Sequence, residues 1–401
     1  MTSLRKRPLR GLAAAGLAAA GLALVLLAAP AARAEDSTLL TALAQIPAEP
    51  ALYGEVRMVD VVDLAALKQA SGIPDGLRLT DLEGLPEPTQ QLVMQGLFRI
   101  SGAANFLQYL LIAEPTWPEM LGVDFLELGW FSQPGTPPNQ LVLLGGEALP
   151  RGEALSVLAS VGLAPEEHEG ATFWVKGEKD NAIDVQNRFP GFPFWGELGS
   201  SVRLHRSEAA LVGARSWPLI ELAREVASGE AASLADLPAF RLAVAAASDP
   251  SLSDGPVIQM SFVDESFGRG VLGLPPAPEG LPPFGLYAFA DREDASGHQV
   301  VLVLTYDDPL VAKQAAARLS EAVMAYGGVR KVTLAERFPG IAATHAVVRT
   351  ADGAAAVVRL AIPPLPGGLN DKNRLPNRSQ LYRQFYEAVT RRDAGYLAVR
   401  E

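Results

Sequence analysis

The sequence predicts an α+β fold of two similar lobes, each a mostly antiparallel sheet covered by helices. Three observations predict it. Proline is frequent, 31 in 401 residues, and breaks the chain into short elements rather than long helices. Strand-like alternation and helical stripes of apolar residues occur side by side along the chain. One order of elements occurs twice: strand, strand, helix, strand, an Arg-Phe-Pro-Gly loop, hairpin, helix. That recurrence reads as an internal duplication, with two copies rather than the many of a solenoid.

The elements follow in order. Asp36 to Ile46 reads as a short helix opened by Asp36 or Ser37 and stopped before Pro47. Leu52 to Val59 reads as a strand. Asp60 or Asp63 caps a helix through Ala70, and Gly72 ends it. Pro88 to Ile112 carries apolar residues at helical spacing and is divided near Gly102.

In the first copy, Asp124 to Phe131 and Gln140 to Leu144 are strands joined by a Pro-rich turn. A helix from Arg151 to Ser160 is closed by Gly162, and Thr172 to Val175 is a strand. The loop Arg188-Phe189-Pro190-Gly191 leads to a hairpin of Val202–His205 and Ala210–Val212. Helices from Pro218 to Ala227 and Pro238 to Ala247 end the copy.

The second copy opens with a strand from Val257 to Val263, which matches Leu52 to Val59. Phe284 to Ala290 is a strand, Asp291 to Gly297 a turn, and Gln299 to Tyr306 a strand. A helix runs from Pro309 to Tyr326, with Val311, Ala315, Leu319, Ala322 and Val323 on its apolar stripe. Val329 to Leu334 reads as a strand before Arg337-Phe338-Pro339-Gly340. A hairpin of Thr344–Arg349 and Ala356–Ile362 turns at Asp352-Gly353, and a helix from Ser379 to Val389 closes the series. The lobes are placed at residues 35–250 and 251–401.

Residues 1–34 read as an export signal. Arg5, Lys6, Arg7 and Arg10 precede an apolar run from Gly11 to Ala29, and Ala32-Arg33-Ala34 supplies small residues at a cleavage site. The alternative is an uncleaved anchor, since the run approaches the roughly 20 residues needed to span a bilayer. Membrane contact is expected through this segment alone, and only if it is kept. The expected location is periplasmic or secreted.

The chain has no cysteine. Lipid attachment at a leader cysteine, disulfides, thiol catalysis and cysteine-held metal clusters are therefore excluded. The formal net charge is −11, and the signal holds five basic residues and no acid, so its loss moves the charge to −16. This balance argues against nucleic acid, which needs clustered Lys and Arg. It also argues against charge-driven docking on anionic lipid.

No motif for a cofactor or catalytic nucleophile is present, and no cofactor is expected. The four histidines, His168, His205, His298 and His345, show no metal-ligand spacing, and no metal is expected. Acids cluster at Asp291, Glu293 and Asp294, at Asp307-Asp308, and at Glu178, Asp180 and Asp184. They read as solvated turns and caps, although acids that meet only in space could form a hydrolytic pair.

The loop Phe189-Pro190-Gly191-Phe192-Pro193-Phe194-Trp195 is the candidate binding feature. Phe189, Phe192, Phe194 and Trp195 on a proline-stiffened loop could recognise a protein, a peptide or a sugar, or cap the sheet or seal the interface between the lobes. The leading expectation is a non-enzymatic envelope binding or assembly protein with an unknown protein or small-molecule partner. The alternative is a carboxylate-dependent hydrolase of envelope polymers.

Overall fold

The computed structural model describes residues 37–49, 58–101, 117–136, 138–264, 280–328, 331–363 and 380–399. The predicted export signal, the start of the first predicted strand and the segment after Gly102 lie outside them.

α1 (Thr38–Leu43) and β1 (Met58–Asp63) open the described chain. Asp63 turns β1 into α2 (Leu64–Ser71) because its side chain accepts from the Ala66 N–H at 2.9 Å. Gly72 ends α2 in the left-handed conformation, as its position after the apolar stripe predicts. α3 spans Glu87–Arg99 and α4 spans Trp117–Leu121.

A sheet then builds from β2 (Trp130–Ser132), β5 (Val142–Gly145), β6 (Ala164–His168), β7 (Ala171–Lys176), β8 (Val202–Arg206) and β9 (Ala210–Ala214). β3 (Gly135–Thr136) and β4 (Asn139–Gln140) form a small separate ribbon. α5 (Trp217–Ser228) and α6 (Pro238–Ala247) follow. The second half supplies β10 (Val257–Asp264), β11 (Leu286–Asp294), β12 (Gly297–Tyr306), α7 (Pro309–Ala325), α8 (Leu334–Arg337), β13 (Ala342–Thr350), β14 (Gly353–Ile362) and α9 (Gln380–Thr390).

Among the described residues, the long strands join one twelve-stranded sheet, in the order β13-β14-β12-β11-β10-β1-β2-β5-β9-β8-β7-β6, and its pairings are antiparallel. The seam between the two halves is β1 against β10, with Asp60 opposite Ser261. One face is covered by a core that runs across both halves and includes α1, α5 and α6. The other face carries two cores. One holds α2, α3 and α4 over the first half, and the other holds α7 and α9 over the second. α6 comes from the first half of the chain but packs on β11, β12 and β14.

Several expectations are corrected. Residues 124–129 are not strand, because Asp124 and Glu127 form a capping box around a short 3-10 turn. The helix expected over 151–160 is a 3-10 helix, Gly152–Val161, although Gly162 closes it as expected. The strand expected to end at Leu334 is replaced there by α8, where Thr333 and Glu336 form another capping box. β11 continues through Asp291, Glu293 and Asp294, which the sequence places in a turn.

Candidate functional site

Between the two cores of the divided face runs a strip of polar side chains along the β1–β10 seam. An aspartate sits in the apolar run Val59-Asp60-Val61-Val62 of β1, and this run is buried. Antiparallel register puts Ser261 of β10 beside it on the same face. Ser261 Oγ donates to Asp60 Oδ1 and lies 2.6 Å from the Tyr382 hydroxyl. Tyr386, one turn further along α9, also hydrogen-bonds the Asp60 carboxyl. Burial pushes this carboxyl up to about 7, against the opposing effect of the Ser261 and Tyr386 hydrogen bonds. Burial and the nearby Asp60 charge raise both tyrosines.

Two residues along β10, Gln259 faces Asp291 of β11. Arg99, the last residue of α3, reaches the same carboxylate. Its Nε and Nη2 donate to the two Asp291 oxygens at 2.8 Å each, and its Nη1 donates to Glu293. Gln259 Nε2 donates to Asp291 Oδ2 at 2.9 Å and to the Arg99 carbonyl at 2.9 Å. His298 Nε2 lies 2.8 Å from Asp291 Oδ1. An ionised carboxylate accepts only, so Nε2 carries the proton. Burial acts to raise the Asp291 carboxyl, but the Arg99 guanidinium overrides it and holds the group well below the ordinary carboxylate range. This explains the length of β11. Asp291 and Glu293 remain in the sheet because an arginine from the first half pairs with them there, and Asp294 is held by Ser253 and Gln299.

The aromatic loop lies elsewhere. Of the four candidate rings, Phe192, Phe194 and Trp195 are buried in the first-half core rather than forming an exposed surface, and Phe189 is half-buried beside them. The physical reason is a glycine. A Cβ at Gly213 of β9 would fall 2.1 Å from the Phe194 ring, so the ring rests directly on the strand backbone. Trp195 Nε1 donates to Gln140 Oε1 at 3.2 Å, and Trp117 Nε1 donates to the Gly191 carbonyl at 3.1 Å. Phe194→Ala is expected to cost about 3–5 kcal/mol of stability. Denaturant titration checks this, and a loss below about 1 kcal/mol would mean the ring is not a core element.

The other candidate residues do not converge on the seam. His205 is in β8, where burial, with Arg224 nearby, pushes the imidazole below its ordinary range. His345 is in β13 at the far edge of the sheet. Asp308 caps α7, accepting from the Leu310 N–H at 2.7 Å, as the sequence predicts. His168, Glu169 and Glu221 bring ligand-type atoms within 4.8 Å of one another. His168 is already paired with Glu221 at 2.6 Å and stacked on Trp217, with ring centroids 4.0 Å apart. A pocket of about 90 Å³ between α7, α8 and α9 is lined by Tyr326, Arg337, Gln384, Glu387, Arg391 and Asp393. It is small beside an ordinary ligand cleft of several hundred Å³. Its polar groups are engaged with each other, Tyr326 with Asp393 and Arg337 with Gln384.

Sequence reasoning passed over Arg99, Gln259, Ser261, Tyr382 and Tyr386, and it offered Asp60 only as one of two helix caps, a role that falls to Asp63. A weak signal exists for three of them: an aspartate inside an apolar strand, and two tyrosines at i,i+4 spacing on a closing helix.

No protein-family model matches the chain, and no curated protein matches it. Among solved structures, crystal form I of TP0453 is similar at 9% identity and a TM-score of 0.29, covering 77% of this chain and 88% of that one. Crystal form III of TP0453 is similar at 8% identity and a TM-score of 0.31, covering 80% and 92%. No helix among the described residues is long and apolar enough to cross a membrane.

Proposed function

We propose that this chain is an exported, non-enzymatic binding or assembly protein of the cell envelope, built from two related halves. The observation that carries the reading is Arg99. It gathers Asp291 and Glu293, two acids that meet in this structure, and neutralises both in a buried network. General acid–base work on a glycosidic bond needs two carboxyls facing a substrate, one of them protonated. Asp291 is held ionised and already accepts from Arg99, Gln259 and His298. The arrangement ties the two halves together rather than acting on a ligand.

The duplication draws support from strand order. Moving outward from the seam, the first half runs β1, β2, β5, β9, β8, and the second runs β10, β11, β12, β14, β13. Each sequence is an opening strand, two hairpin strands, and a later hairpin in reverse order. The first half adds β7 and β6 beyond β8.

The reading is tested by incubating the purified protein with cell-wall sacculi and envelope polysaccharide and measuring soluble fragments. No release is expected. Release that disappears in Glu293→Gln would replace the reading with the hydrolase. Export is tested by fractionation and N-terminal sequencing. A periplasmic or secreted chain beginning at residue 35 is expected, whereas an intact N-terminus in the membrane fraction would favour the anchor.

A further inference from the structure

The two ends of the sheet differ in how they meet solvent. β6 at one end is five residues long, Ala164-Pro165-Glu166-Glu167-His168, and is mostly exposed. Pro165 lacks an N–H, and Glu166 and Glu167 add charge, so this end is blocked against further pairing. β13 at the other end is nine residues long, Ala342 to Thr350, with no proline. It carries a single arginine, Arg349, and no acid. Among the described residues, no strand pairs with its outer edge. An edge of this length and low charge is a template for another strand.

The edge is also held in place. All nine residues of β13 pair with β14. The turn beyond β13 is clamped by Arg241 of α6, whose Nη2 lies 2.5 Å from Asp352 Oδ1 and whose Nε lies 3.1 Å from Oδ2. Little ordering remains to be done when a partner arrives.

We propose that the protein forms a two-fold dimer in which β13 pairs antiparallel with β13 of a second copy, centred on Ala346. Three features select a second copy as the occupant. The first rests on the two-halves reading: β8, the strand in the equivalent place, already carries an antiparallel neighbour, with Trp174, Val175 and Lys176 of β7 opposite Leu204, Arg203 and Val202. The same position in the second half therefore suits an antiparallel strand. Next, the protein already joins its own halves by antiparallel pairing of their opening strands at the β1–β10 seam. Finally, the β13 sequence is self-complementary about Ala346. Ala342 falls opposite Thr350, Ala343 opposite Arg349, Thr344 opposite Val348 and His345 opposite Val347, so no like charges face each other. Ala346, a small residue, meets its own copy at the axis.

Backbone pairing of nine residues with modest side-chain area implies a small, reversible interface, so the dimer is sought over roughly 1–200 μM protein. The experiment is sedimentation of the whole purified protein across that concentration range. Wild type is expected to shift from monomer to dimer. Ala346→Lys and Ala346→Glu, tested separately, place like charges on the axis and are expected to remain monomeric. Mixing the two is expected to restore a heterodimer. Circular dichroism confirms that each variant is folded, and hydrogen exchange is expected to show β13 amides protected in the dimer alone. A wild type that remains monomeric above roughly 200 μM, or a dimer that persists in both single variants, would overturn the proposal. Fragment release from sacculi would sink the non-enzymatic reading while leaving the dimer standing. A missing dimer would leave that reading untouched.

Discussion

Replacing Arg99 with methionine is expected to lower unfolding stability by about 3–5 kcal/mol at neutral pH. Methionine keeps much of the side-chain volume but leaves Asp291 ionised, buried and without its guanidinium. Gln259 and His298 still donate to it, yet neither replaces the bidentate guanidinium. The effect should depend little on salt, because Arg99 and Asp291 are both buried away from mobile ions. It should shrink as pH falls. Asp291 has a folded-state pKa below its unfolded value, so its contribution is present above the ordinary carboxylate range and lost as pH falls below it. Urea unfolding of wild type and variant at low and high salt, and from pH 7 down to pH 2, measures both features. Adding Asp291→Asn to Arg99→Met should recover part of the loss, since the uncompensated charge is gone. A penalty below about 1 kcal/mol at pH 7 would mean that the ion pair does not hold the halves together.

The second large effect is expected at Asp60, with the opposite sign. Burial raises its folded-state value from 3.8 to about 7. Between those values the folded protein holds a proton that the unfolded chain has lost. Stability from this group is therefore fully present below about 4 and falls as pH rises to about 7. At 1.36 kcal/mol per pKa unit, the loss is on the order of 4 kcal/mol. Asp60→Asn keeps an acceptor for Ser261 and Tyr386 and removes the titration. The variant should match wild type near pH 4 and exceed it by a few kcal/mol at pH 8. Comparing the two proteins at each pH cancels the titration of distant groups such as Glu336. A constant difference across the range would show that Asp60 does not titrate inside the fold.

Together these residues show what kind of information a sequence carries about this protein. Asp63 and Gly72 bracket α2, Asp308 opens α7, and α6 begins at Pro238, all as local chemistry requires. The hairpins around Asp352-Gly353 and between β8 and β9 were legible because alternation and turn residues act over a few positions. The capping boxes at Asp124 and Thr333 were missed because their acids also suit a strand's end or a loop.

The aromatic loop misled for a related reason. Phenylalanines beside prolines read alike whether they face solvent or core, and what decides is Gly213, nineteen residues beyond Phe194. Likewise, Arg99 and Asp291 are 192 residues apart, and nothing local to either names the other. Composition and local pattern suffice for the mixed α and β class, most element positions, the absence of cysteine chemistry and the acidic balance. Only the folded chain brings both halves into one sheet, lines their seam with polar groups, and sets Arg99 against Asp291 and Glu293. Local elements follow from interactions a few residues apart, whereas burial and charge pairing are settled by residues that meet only when the chain has folded.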